Sequence, residues 1–145
     1  MKKNTSMVSD DLVAAYAATV FEIDCPGEAA IQFKVDVFCP RVEALLRHMN
    51  ASEAAFITAY NPGSVSLCEA ENAASQEKLL NDLNFQGLQF FRGRGIDPTG
   101  AWKPEPSVLV FAITRDNAHA LAKKYGQNAF VYLACGAAPE LVLLR

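Results

Sequence analysis

Arg92-Gly93-Arg94-Gly95 is the stretch best suited to holding an anion: two guanidiniums flank a glycine that lets backbone N–H groups come close to a ligand. It is not a phosphate-binding P-loop, because the G-x-x-x-x-G-K spacing is missing. Its bland alternative is that one arginine pairs with Asp97 or Glu105 and only holds the loop in shape. Glu105 stands between Pro104 and Pro106. A carboxylate held that stiffly suits general-base chemistry or the positioning of an arginine. Without a histidine nearby in sequence, positioning is the stronger reading. Ser107 lacks the G-x-S-x-G context of a nucleophile, and Trp102, the single tryptophan, could stack on a ring or plug the loop into the core.

Side-chain amides supply the remaining chemistry. Asn61 precedes Pro62 at the end of the apolar run Phe56-Ile57-Thr58-Ala59-Tyr60. Its amide could read a ligand, or close an Asx-type turn in its own loop. A turn bond alone would be worth ~1 kcal/mol. Gln127 and Asn128 follow Gly126 and could read a base edge or peptide backbone, or satisfy helix-end carbonyls. Ser64 and Ser66 lie close to the acid-rich start of a helix, where Glu69 and Glu71 already occupy the field that would attract an anion.

The elements that must position these residues follow from periodicity. Val8 to Thr19 carries Leu12, Val13, Tyr16 and Ala17 on one helical face, with Ser9 or Asp10 as the cap. Val20–Ile23 and residues 31–35 alternate around Cys25-Pro26-Gly27-Glu28 and predict a β-hairpin. Pro40 opens a helix to Asn50. Residues 54–60 form a strand, 69–83 a helix with Ala73, Leu79, Leu80 and Leu83 inward, and 88–91 a short strand. Residues 93–105 are expected as a loop, 108–113 as a central strand and 117–125 as a helix ended by Gly126. Strands at 129–133 and 141–144 close the chain.

From Ala54 onward the order is β-α-β-β-α-β plus one strand. This predicts an α+β, ferredoxin-like split βαβ sandwich: an antiparallel sheet with helices on one face, an N-terminal helix and β-hairpin extension, and an extra C-terminal strand. Alternating strand direction then carries Asn61, Arg92 and Arg94, Glu105 and Ser107, and Gln127 and Asn128 to one sheet edge. The expected organisation is a single domain over 1–145, with a tail at 1–6, the N-terminal unit at 7–50 and the core at 54–145.

Composition narrows the partners. The chain has 145 residues, a net charge of −3 and 51% hydrophobic residues, a soluble globular balance without the broad basic face of a non-specific nucleic-acid binder. No apolar run approaches the ~20 residues of a membrane helix. Met1-Lys2-Lys3 hints at a signal n-region, but Asp10-Asp11 follow, so a cytoplasmic protein is expected. Four cysteines at wide spacing, with only His48 and His119 to join them, predict free thiols and no metal or other cofactor.

Thr58-Ala59-Tyr60-Asn61-Pro62, Glu71-Asn72-Ala73, Trp102 with Glu105-Pro106-Ser107, and Gly126-Gln127-Asn128-Ala129 occur in an order that resembles the domain-of-unknown-function 3293 family. The resemblance runs from Leu12-Val13-Ala14-Ala15-Tyr16 to the Leu-rich C-terminal strand. It implies a small soluble bacterial protein and does not supply a reaction. The expected function is therefore a module binding a small anionic or nucleotide-like ligand at one sheet edge. The alternative is a protein–protein interaction module without catalytic activity, using a free sheet edge or the N-terminal helix.

Overall fold

The computed structural model describes residues 9–144; the expected tail at 1–6 lies outside them. The described residues form four α-helices and one seven-stranded sheet, an α+β fold. The chain runs α1 (Asp10–Ala18), β1 (Val20–Ile23), β2 (Ile31–Phe33), α2 (Pro40–His48) and β3 (Glu53–Ile57). A 3-10 turn at Pro62–Ser64 follows, then α3 (Glu69–Phe85), β4 (Phe90–Ile96), β5 (Glu105–Phe111), α4 (Arg115–Lys124), β6 (Ala129–Ala134) and β7 (Glu140–Leu143). Every neighbouring pair is antiparallel, in the order β2-β1-β4-β5-β3-β6-β7.

Alternation along the strands sorts side chains to two faces. Ala55, Ile57, Val108 and Val110 pack with Leu79, Leu80 and Leu83 of α3 and with Ala118, Leu121 and Ala122 of α4. Ala54, Phe56, Leu109 and Phe111 face the other way and pack with Val42 and Leu46 of α2 and with Phe21, Ile23 and Phe33 of the β1–β2 hairpin. Each crossing helix spans one strand: β5 lies between the strands joined by α3, and β3 between those joined by α4.

The sheet curls, and one glycine shows where. β1 and β3 are three strand spacings apart in the order, about 14 Å in a flat sheet. Yet the rings of Phe21 and Phe56 have centroids 5.4 Å apart, and Phe33 also meets Phe56 at 5.4 Å. The ring of Phe56 lies over Gly93 of β4, where an added Cβ would fall 3.1 Å from its Cε2. Gly95 follows on the same face. A side chain at Gly93 would hold the Phe56 ring off the sheet, whereas a Cβ at Gly95 meets nothing nearer than 3.6 Å.

Helix α1 is held at its start by Ser9, whose side chain accepts from Leu12 N at 3.2 Å. None of its residues is fully buried, and Ala17, expected on the inner face, is exposed. With little burial to compensate, its cap matters. Ser9→Ala is expected to cost ~1 kcal/mol, seen as a lower urea midpoint and faster amide exchange over residues 12–16.

Candidate functional site

β3 leaves the sheet ladder after Ile57, not at Tyr60 as the apolar run predicts. Thr58 to Asn61 therefore need new hydrogen-bond partners, since unpaired buried backbone groups are costly. Side chains provide them. Ala59 N donates to Gln76 Oε1 at 2.9 Å, Tyr60 N to Thr58 Oγ1 at 3.0 Å and Asn61 N to Asn72 Oδ1 at 2.8 Å. Tyr60 O accepts from Gln127 Nε2 at 3.1 Å, and Thr58 Oγ1 donates to Pro106 O at 2.7 Å.

Asn61 is the hub of this corner. Its φ of 47° puts it in the left-handed region, which asparagine tolerates better than most residues. Its Oδ1 accepts from Leu67 N at 3.0 Å and from Asn72 Nδ2 at 2.7 Å, while its Nδ2 donates to Glu105 Oε2 at 3.3 Å. The bond to Leu67 is the expected closure of its own loop; those to α3 and β5 go beyond it. Asn128 Nδ2 donates to Ser64 Oγ at 2.7 Å, and Ser64 and Tyr16 of α1 both line the neighbouring cavity. Gly126, with φ of 71°, passes under Pro62, and Gly63 N donates to its carbonyl at 2.7 Å.

These bonds form one end of a cavity of about 520 Å³ between α1, the loop after β4 and the aromatic face of the sheet. Phe21, Phe56, Val131 and Leu141 line its apolar part; Asn61, Glu105, Ser107 and Gln127 line its polar part. Trp102 borders it and is 40% exposed. Ser107 is buried, with Oγ donating to Glu105 O at 3.0 Å.

Of the residues singled out in the sequence, Asn61, Trp102, Glu105, Ser107 and Gln127 line this cavity, and Asn128 braces its rim through Ser64. Arg92 and Arg94 do not join it. The loop expected at 93–105 begins only after Ile96, because Arg92 to Gly95 are strand residues of β4. They pair with Val108 and Pro106, so their side chains share the face of Val108, opposite the cavity. Arg92 is exposed there. Arg94 pairs with Glu22, its neighbour on β1, and with Asp24 Oδ2 at 2.7 Å. The arginine does hold structure together, but through the hairpin rather than through Asp97 or Glu105.

Burial raises the Glu105 carboxyl above the ordinary carboxylate range, opposed only by the bond from Asn61. The Tyr60 hydroxyl is pushed up to about 12, mainly by burial and then by Glu69, whose Oε1 it donates to at 2.8 Å. Tyr16 is raised too, by burial, with Ser64 opposing and Glu105 adding. Both phenols are thus neutral donors at physiological pH.

For an acid with a raised folded-state pKa, the folded protein holds the proton more tightly than the unfolded chain. Glu105 therefore subtracts stability as pH rises through the window between its unfolded and folded values. Glu105→Gln, which keeps an acceptor for Asn61, is expected to raise the urea midpoint at neutral pH and to flatten its decline above the ordinary carboxylate range.

Tyr16, Glu69, Asn72 and Gln76 also belong to this corner and cavity, a role that the sequence reading does not give them. Asn72 and Gln76 are buried in the first half of α3, where Ala73 is exposed instead of inward. Their signal was present: Asn72, Gln76, Leu79, Leu80 and Leu83 fall on one helical face. Two polar residues continuing an apolar stripe mark a helix whose end satisfies backbone rather than filling a core. Among the described residues no group of three or more His, Cys, Asp and Glu side chains is placed to hold a metal ion, and no helix is long and apolar enough to cross a membrane.

The mixed fold places the chain among α+β proteins, with the asparagine-centred corner and its bordering cavity at one end of the sheet. A family model described as "Protein of unknown function (DUF3293)" matches residues 57–130, more than half of the 145 residues, and the chain belongs to that family. The matched stretch contains Asn61, Trp102, Glu105, Ser107, Gln127 and Asn128, whereas the cavity walls from α1, β1 and β7 lie outside it. No curated protein and no solved structure matches the chain.

Proposed function

We propose that the protein is a small-molecule binding module whose ligand occupies the cavity at the end of the sheet. One observation carries the reading: a concave, aromatic-walled space of about 520 Å³ ends in polar groups whose positions are set by bonds behind them. Binding sites combine apolar walls with a few fixed polar groups, because the walls supply affinity and the polar groups orientation. The anionic ligand expected from the arginines has less support at this cavity, since neither arginine lines it and two carboxylates, Glu69 and Glu105, do. The reading takes β3 to β6 as a ferredoxin-like core, supported by the order β4-β5-β3-β6 with α3 and α4 on a shared face.

Trp102 is the only tryptophan and borders the cavity, so its fluorescence reports occupancy. A fragment library titrated against wild type is expected to yield saturable changes in emission. Gly95→Leu provides the blocked control. A Cβ at Gly95 meets only Thr19 Cγ2 at 3.6 Å and the Phe21 ring, and the longer side chain extends into the cavity. Fragments that bind the folded Gly95→Leu variant as well as wild type would show that the signal arises elsewhere and would sink the reading.

A second reading, a protein-interaction module, rests on Val37 and Phe38, which are 57% and 49% exposed in succession beside the edge strand β2. Retention of a partner from a native extract, lost in Phe38→Asp, would favour it.

A further inference from the structure

Glu105 has no countercharge, and of the partly buried carboxylates without one it is the least satisfied: Glu53 accepts from the Tyr132 hydroxyl at 2.7 Å, and Asp97 from Thr99 N and Ala101 N, each at 2.9 Å. Glu22 pairs with Arg94, Glu43 with Arg47 and Asp82 with Lys124. Among the described residues no cation pairs with Glu105, and the one hydrogen bond to its carboxylate is the 3.3 Å contact from Asn61 Nδ2 to Oε2. Oε1 takes no hydrogen bond, and the residue lines the cavity. A carboxylate withdrawn from water without a cation is a cost the fold carries unless something else supplies the charge.

The surroundings of Glu105 are the kind that receive a cation. From α1 comes Tyr16, from the segment after β3 Tyr60, and from α3 Glu69, whose Oε1 is taken by Tyr60. Trp102, Phe21 and Phe56 add ring faces, which attract cations through their quadrupoles. The only basic lining residue is Lys103, exposed in the loop just before β5 and forming no ion pair with Glu105. A negative centre surrounded by aromatic rings and neutral hydroxyls selects a positive head on an apolar body.

Resting on the reading of the cavity as a binding site, we propose that its ligand is an organic amine, whose protonated nitrogen pairs with Glu105 while its apolar body lies against Phe21, Phe56 and Trp102. No reaction is implied. Asn61 acts as a positioning residue, holding the carboxylate at the mouth of the aromatic space.

The test uses matched probes of three body sizes: benzylamine, phenethylamine and tryptamine, each beside its neutral alcohol and its carboxylate counterpart. Binding to the full chain is measured by calorimetry at constant ionic strength. The amines are expected to bind more tightly than both counterparts. Glu105→Gln should weaken the amines by about 10- to 100-fold, the scale of one charge-assisted bond, and leave the alcohols unchanged. A second measurement needs no variant: amine affinity should fall toward acid as Glu105 takes up a proton, while alcohol affinity stays flat, and in Glu105→Gln the amine slope should largely disappear. If alcohols or carboxylates bind as well as amines, or if Glu105→Gln leaves amine affinity unchanged, the cationic head is overturned and the binding cavity survives. If no probe of any charge binds, the cavity reading itself falls, and this inference with it.

Discussion

Gly93→Ala is expected to destabilise the protein by ~3 kcal/mol or more, beyond the usual range for one added methyl group. A Cβ on Gly93 would lie 2.2 Å from the carbonyl oxygen of Glu22 and 3.1 Å from Phe56 Cε2. The second contact could be relieved by a ring moving a few tenths of an ångström. The first cannot, because the oxygen belongs to the backbone of β1 and β1 is held in register against β4: Ile23 pairs with Gly93, Glu22 with Arg94, and Asp24 N donates to Arg92 O at 2.8 Å. Relief requires β1 to leave the ladder, taking β2 and the Phe21 wall of the cavity with it. Urea denaturation gives the loss, and amide exchange over residues 20–23 and 31–33 should show that the hairpin opens. Gly95→Ala is the internal comparison. It stands two residues along the same strand face, yet its Cβ would find ordinary contacts at 3.6 Å or more, so it should fall within ~1 kcal/mol of wild type. Equal stability of the two variants would contradict the tight approach at Gly93.

Asn61→Ala is the second large effect, ~2–4 kcal/mol, well above the ~1 kcal/mol of a turn bond. Truncation removes the acceptor for Leu67 N and for Asn72 Nδ2, and the donor to Glu105. Asn72 is 3% exposed, so the N–H that loses Asn61 cannot turn to bulk water, while Nδ2 keeps its 3.4 Å contact to Leu67 O; one unsatisfied buried donor costs ~1–3 kcal/mol. Alanine must also adopt the φ of 47°, a further ~1 kcal/mol. Asn61→Asp separates these contributions. It keeps the acceptor for Leu67 and Asn72 but sets a second carboxylate beside Glu105, so its stability should improve on acidification relative to wild type. A loss for Asn61→Ala near 1 kcal/mol in denaturant titration would mean that the corner rearranges to satisfy Asn72 without it.

The corner was partly legible from residue order. The polar stops after β3, before β5 and after α4 meet because strands alternate in direction, and three hydrogen bonds join them: Asn61 to Glu105, Gln127 to Tyr60 and Asn128 to Ser64. The arginine pair was misplaced for a physical reason. Two glycines in four residues resemble a loop, but here both are strand positions, and at Gly93 the missing side chain lets Phe56 and the β1 backbone approach. Glycine reports a need for space or for unusual dihedrals, and a sequence does not say which. Asn72 and Gln76 were overlooked because their purpose, satisfying a strand that has left its ladder, exists only once β3 and α3 are side by side.

Local pattern by itself determined the elements: the alternation that makes β1 and β2 a hairpin, the serine that caps α1, the apolar face of α4 and the αL glycine that ends it. These depend on interactions among residues a few positions apart, and short-range sterics and periodicity settle them. Only the tertiary structure decided which face Arg94 takes, how far the sheet curls, and that Glu105 ends beside Asn61 without a cation. Each depends on pairings between residues some forty to seventy positions apart, such as Glu22 with Arg94 and Asn61 with Glu105. A one-residue change of register in such a pairing turns a side chain to the opposite face, so these outcomes belong to the assembled sheet and not to any stretch of chain.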